Sequence, residues 1–425
     1  MIAGLFVSEP SPARAAKAPA KAPVKRSKSQ PPEIVPQVLL NGVGPLAWNE
    51  AVGRDRGIGV TAPAWPALRV LGSAGGESLF VFPDHALAPA LVASWPRQEI
   101  AAHWVRIFPD YRWLVVESYA DSSARYYGKD GILKWEARAD LAPVALGRDL
   151  VLARRPSRAD SIPSRMSVTV VPGGRNRVSW PALAGWTAAS PLENFLAVNT
   201  IGIVDSASGT RQDELRLLDL EGTILWARTL AADPRAFAVS NFGDVAIARE
   251  RQLIVFDRTG AEKLRVGLPR NSVGRTAITP DGRFALVATS QPVGRHGTGG
   301  IWIALYETSR KTPVWSRKNL PVEGGKLAEV LELSLSDDGQ RALVRLTTGP
   351  VFLLGYDGRR LASWNLERIS RGEYDPCSVP RRTWLSGDGA LVAFTMPVAP
   401  SLSGARGWLF RVPRGTTDVP ATAPR

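Results

Sequence analysis

Three features of this sequence predict an all-β chain assembled from a repeated four-stranded unit. Tryptophan recurs late in short apolar runs, at Trp48, Trp95, Trp135, Trp180, Trp226, Trp315 and Trp364, with gaps of 47, 40, 45, 46, 89 and 49 residues. The gap of 89 is two periods, its midpoint in the KLRV run around Leu264, so the period is about 45 residues. Within each period a polar turn, commonly Asp-Gly, separates two β-rich runs, because Asp-Gly supplies the positive φ that tight hairpins require. No segment reads as a long amphipathic helix. A repeat of this length and content is that of a propeller blade, so the predicted fold is a single β-propeller of four-stranded antiparallel blades.

Composition agrees. The 425 residues are 44% hydrophobic and 22% charged, ordinary for a globular chain large enough to bury a sizeable core. No apolar run approaches the roughly 18 residues of a transmembrane helix. The single cysteine, Cys377, rules out an internal disulfide without reporting the compartment. The formal net charge of +14 brings anionic surfaces into the partner question.

In chain order, residues 1–40 come first as a Pro/Ala/Lys-rich tail (PSPARAAKAPAKAPVKRSKSQPP) with too little apolar surface to offset its ordering entropy, and are expected to be disordered. Arg14, Lys17, Lys21, Lys25, Arg26 and Lys28 against Glu9 give residues 1–32 a charge of +5, leaving +9 of the total of +14 for the rest. Three roles compete: a solvated linker, a basic nucleic-acid arm, and a clipped export signal. A nucleic-acid arm is disfavoured because no aromatic residue is interleaved with the lysines for base stacking. Export has the apolar Ile2–Val7 and the small-x-small Ala13-Arg14-Ala15 in its favour, but lacks a basic start and a longer apolar run.

The propeller is assigned to 41–413. Its first element is PLAW (45–48), a strand with no hairpin before it, and its weakest unit follows, with ALRVLG, SLFVFP and ALVASW as the clear strands. IFPDYRWLVVES (107–118), VALGRDLVLA (144–153) and ASPLENFLAVN (189–199) are degenerate hairpins, and AVSNFGDVAIA (238–248) is a looser copy of the pattern. The pattern itself is clear in AITPDGRFALVATS (277–290), LSLSDDGQRALVRL (333–346) and WLSGDGALVAFT (384–395). Runs such as FALVATS are apolar on both faces, which suits a strand buried between neighbouring blades. The last unit has only RTWLSG, ALVAFTM and GWLFRVP, so PLAW is expected to complete it and close the ring by joining N- and C-terminal strands. The count is eight blades, with seven as the alternative, and residues 414–425 form a disordered C-terminal tail.

The outer hairpins LRLLDLEGTILWARTL, VFLLGYDGRRLASWNL and RYYGKDGILKWEA resemble the pyrroloquinoline-quinone-type propeller repeat. The inner hairpins TPDGRFALV and SDDGQRALV look like the turns of WD-repeat-like bacterial propellers. The Thr-Gly pair of the quinone repeat is mostly lost and its Asp often replaced, which argues against quinone chemistry. Among non-enzymatic members, the resemblance points to an eight-bladed scaffold lipoprotein of bacterial outer-membrane assembly.

No catalytic, cofactor or metal set is expected. His85, His103 and His296 are far apart, with no partner at metal-ligand spacing and no triad. The Asp-Gly turns offer one or two carboxylates each, where calcium takes six to eight oxygens. Two binding candidates stand beside blander roles. Arg295 and His296 lie in the Gly-rich VGRHGTGG, which could cradle a phosphate but lacks a Lys-Ser/Thr ending and a following helix, and reads more simply as a strand connection. Arg381 and Arg382, with Arg368 and Arg371, could form an anion patch or be scattered solvated arginines. Cys377 reads as a loop cysteine. The functional expectation is a non-enzymatic, monomeric interaction or scaffold module of the cell envelope, binding protein through one rim. The alternatives are a quinone-dependent or other propeller enzyme, or a nucleic-acid-associated protein.

Overall fold

The computed structural model describes strands and turns within residues 38–412, with side chains described mainly between residues 188 and 364 and at scattered positions of 382–412. The predicted tails, apart from residues 38–40, and PLAW at 45–48 lie outside the described residues. Every regular element described is a strand.

Among the described residues the strands form antiparallel sheets, seven of four strands and one of three. In chain order these span 68–95 (the three-stranded sheet), 102–137, 142–181, 183–230, 236–267, 274–320, 330–364 and 382–411. In every sheet but the last, each strand pairs only with its neighbours in sequence, so the sheet is a meander. The last sheet is completed from the other end of the chain. Val38–Val43 pairs antiparallel with Ala405–Arg411, setting Val38 opposite Leu409 and Val43 opposite Ala405.

The 274–320 sheet shows why the sequence folds this way. Its strands are Gly274–Ile278, Phe284–Ser290, Ile301–Glu307 and Pro313–Leu320. All seven residues of Phe284–Ser290 are buried. Side chains alternate in direction along a strand, so a strand buried on both faces must touch two different neighbours. Ala285 and Val287 join Ala246, Val255 and Leu264 of the preceding sheet. Phe284, Leu286 and Ala288 join Ala342, Val344 and Phe352 of the following one. The same division holds in Val351–Gly355, where Phe352 and Leu354 face back while Val351 and Leu353 pack with Val392 and Phe410. The core is therefore a series of sheet-to-sheet interfaces.

The periodic tryptophans belong to those interfaces. Trp226, Trp315 and Trp364 sit in the last strand of their sheets at 8%, 8% and 3% exposure. Trp226 packs with Phe256 of the next sheet at a ring separation of 5.8 Å, and Trp364 with Phe410 at 5.4 Å. Each of the first two is also met by a turn glycine of the next sheet. A Cβ at Gly260 would stand 3.0 Å from Trp226 Cγ, and one at Gly358 2.8 Å from Trp315 Cε3. Both glycines have positive φ, 83° and 71°, so close approach and backbone conformation select the same residue. Among the described residues the Trp226 and Trp315 indole N–H groups have no acceptor, so these rings act by packing.

Trp226→Ala removes a buried ring from the joint between the 183–230 and 236–267 sheets. It is expected to cost roughly 3–5 kcal/mol, read from the denaturant midpoint; an unchanged midpoint would contradict the packing role.

Candidate interaction surface at the hairpin-turn end

In a four-stranded meander, the turn between the first and second strands and the turn between the third and fourth lie at the same end of the sheet. In the last four sheets the first-to-second turns occupy 240–244, 279–283, 336–340 and 387–389. In the 279–283 turn, Thr279 Oγ1 donates to Asp281 Oδ1 at 2.5 Å and accepts the Phe284 N–H at 3.0 Å. Asp281 Oδ1 also accepts the Arg283 N–H at 2.9 Å, and Gly282, at φ 71°, donates its N–H to the Thr279 carbonyl at 2.9 Å. The 336–340 turn repeats this. Ser336 Oγ donates to Asp338 Oδ1 at 2.6 Å and accepts the Arg341 N–H at 2.9 Å, while Gln340 N–H reaches Asp338 Oδ1 at 2.9 Å. These aspartates organise the turns, as the Asp-Gly spacing predicts.

The 240–244 turn departs from the pattern. Ser240 Oγ accepts the N–H groups of Phe242 at 3.2 Å and Asp244 at 2.9 Å, so the turn forms without an aspartate at the third position. Phe242 takes that position and is 65% exposed. The equivalent Asp281 and Asp338 are also exposed.

Neighbouring turns are fitted together. Asn241 N–H donates to the Pro280 carbonyl at 2.8 Å, and Asp337 N–H to the Gly387 carbonyl at 2.6 Å. Pro280 has no N–H and cannot make the same bond onward to the 336–340 turn. That joint is closed by packing, since a Cβ at Gly339 would lie 2.6 Å from Phe284 Cδ2. Asp244 lies over Gly282, and its carboxylate accepts from Lys263 Nζ at 3.1 Å. Burial raises the Asp244 pKa, with Lys263 working against the shift. Arg341 crosses to the next sheet and donates Nη1 to the Gly389 carbonyl at 2.7 Å.

A partly buried polar bridge ties the same two sheets together. Glu332 Oε2 accepts from Arg345 Nη1 at 3.1 Å and, in the next sheet, from the Thr383 N–H at 3.1 Å and Oγ1 at 2.9 Å. The Arg345 side chain is 5% exposed, so the carboxylate balances a charge held away from water.

Around the last strands the surface is basic. Arg228, Lys263, Arg265, Arg317, Lys318 and Arg360 are exposed there, with Glu262 the opposing charge among the described residues of those strands. Charged side chains on strands of this kind suit a role in keeping sheet edges from pairing with other chains.

Of the residues singled out from sequence, Arg295, His296 and Arg381 lie outside the described residues, as do Arg368, Arg371 and Cys377. Arg382 opens the strand Arg382–Leu385, opposite Thr395. Sequence reading did not single out Phe242, Asp337 or the Glu332–Arg345–Thr383 bridge. For Phe242 the signal was its alignment with Asp281 and Asp338, and for Asp337 the doubled aspartate of SDDG.

Comparison with protein-family models and with curated proteins finds no match. Solved structures give a likeness in fold. The C-terminal WD40 domain of Sif2 is 11% identical with a TM-score of 0.51, the match covering 85% of this chain and 98% of that one. Sqt1 of Saccharomyces cerevisiae is 12% identical with a TM-score of 0.51, over 85% and 98% of the two chains. At such identities the likeness speaks to fold alone, and together with the four-stranded sheets above it gives the chain the β-propeller fold.

Ser336→Ala removes the hydroxyl that bridges Asp338 and the Arg341 N–H. A loss of about 1–2 kcal/mol is expected in urea unfolding, while Thr279→Ser, which keeps its hydroxyl, stays within about 0.5 kcal/mol of the parent. Equal effects of the two would contradict the hydrogen-bonding role.

Proposed function

We propose that the chain is a non-catalytic protein-interaction scaffold whose binding surface is the hairpin-turn end. The carrying observation is the exposed Phe242 at the position where sister turns expose Asp281 and Asp338. Asp281 and Asp338 brace their own turns, whereas in the 240–244 turn Ser240 Oγ accepts the backbone N–H groups without an aspartate, which leaves the third position to an exposed aromatic ring. An aromatic anchor within a polar rim is the composition of an interaction hot spot. The partner would offer an apolar pocket for Phe242 and cationic groups for the aspartates. The propeller fold supports this reading as a framework that holds side chains from successive sheets in fixed register.

The finer architecture is part of the proposal. The ring expected over 41–413 is extended at its start to Val38 and has eight blades, with Val38–Val43 completing the last one, and the segments before residue 38 and after residue 413 are flanking tails. The pairing of Val38–Val43 with Ala405–Arg411 supports that closure. The protein acts as a monomer without a cofactor. A cell-envelope setting rests on the resemblance of the Trp-bearing hairpins to an envelope scaffold propeller.

The test is quantitative co-purification of partner proteins from the native cells with full-length chain. Phe242→Ala is expected to lower recovery of the partner at least about tenfold, with Lys318→Ala, on an outer strand, leaving it unchanged. Equal recovery with both variants would contradict this surface.

A further inference from the structure

The joint between the 330–364 and 382–411 sheets carries a carboxylate at a turn position that is neutral in the two preceding turns, and unlike Asp244 it has no cation paired with it among the described residues. Its inner turns are tied by the Asp337 N–H bond to the Gly387 carbonyl, 2.6 Å long. The Asp337 side chain folds onto the same glycine, where a Cβ would stand 2.5 Å from Oδ2. The equivalent position holds the neutral Asn241 and Pro280 in the two preceding turns.

The charged groups acting on Asp337 all have its own sign. Asp338 stands beside it in the same turn, Asp388 in the following turn and Asp281 in the preceding one. The hydroxyl of its turn, on Ser336, donates to Asp338, and the Arg341 guanidinium donates Nη1 to the Gly389 carbonyl. Among the described residues no donor reaches the Asp337 carboxylate.

We propose that Asp337 is a proton-operated clasp on this joint: protonated, it lets the 336–340 turn close onto the 387–389 turn, and ionised, it loosens that contact. Burial, reinforced by Asp338, Asp388 and Asp281, pushes its pKa up from 3.8 to about 7. A carboxyl raised in this way holds its proton more tightly in the closed form than in the open one. Its stabilising contribution is complete below the open-form value of about 3.8, is lost as pH rises toward 7, and is absent above that. The clasp is therefore closed in mild acid and loosened in mild alkali.

The test is amide hydrogen exchange by mass spectrometry on the full-length protein, following peptides that cover 330–346 and 382–397. Asp337→Asn and the parent are compared at one pH at a time, so that intrinsic exchange rates cancel. At pH 8 the variant is expected to exchange at least about tenfold more slowly across the joint, with the difference shrinking as pH falls and vanishing only toward about pH 4, and the 236–267 sheet unchanged throughout. Equal exchange at pH 8, or a difference independent of pH, would overturn the proposal. Asp388→Asn keeps Asp337 and removes one like charge, so the pH at which the joint loosens should fall; an unmoved midpoint would equally overturn it.

Discussion

A strand such as Phe284–Ser290, apolar on both faces and wholly buried, has no stable existence within its own sheet. Half of its side chains need the sheet before it and half the sheet after it. This requirement makes the sheets interdependent and puts the core in the interfaces between them. Burying each such side chain contributes roughly 1.5–3 kcal/mol, an amount no single four-stranded sheet in water could recover. The remaining features of the described sheets serve these interfaces. Tryptophans fill the space at the last strands, and turn glycines let the next sheet come close enough to touch them.

The turn end is where that packing meets polar chemistry. Each turn must satisfy its own backbone groups and fit against the turn beside it. Thr279–Asp281 and Ser336–Asp338 meet the first demand with a hydroxyl and a carboxylate. Glycines at φ near 70° meet the second by receiving a side chain from the preceding sheet, Phe284 onto Gly339 and Arg341 onto Gly389. Two positions differ from turn to turn. The third position holds Phe242, Asp281 or Asp338, and the second holds Asn241, Pro280 or Asp337. Variation there changes what the surface presents, or the electrostatics of a joint, while leaving the hairpin intact.

Much of the fold was legible because the period-two burial pattern and the Asp-Gly turns are local signals. The hairpin read in AITPDGRFALVATS (277–290) falls on the strands Gly274–Ile278 and Phe284–Ser290. Trp226, Trp315 and Trp364, whose spacing reveals the repeat, are the rings packed in the joints between sheets. What the sequence could not convey was contact between sheets. Nothing in the neighbourhood of Glu332 says that Thr383, 51 residues away, will share its carboxylate. The four like charges of Asp281, Asp337, Asp338 and Asp388 lie in three separate turns, and only the placement of the sheets makes them neighbours. The informative departure was Phe242, one residue out of pattern in a turn that is otherwise regular.

The central claim, that neighbouring sheets are locked by a side chain of one seated on a turn glycine of the next, is tested most directly at Phe284 and Gly339. A double-mutant cycle with Phe284→Ala and Gly339→Ala, read by equilibrium unfolding, measures the coupling between them. The Cβ at position 339 meets the Phe284 ring, so its cost should fall once the ring is gone. The expected coupling is on the order of 1 kcal/mol or more. Costs that simply add would mean that the two residues act independently and that the joint is held by something else.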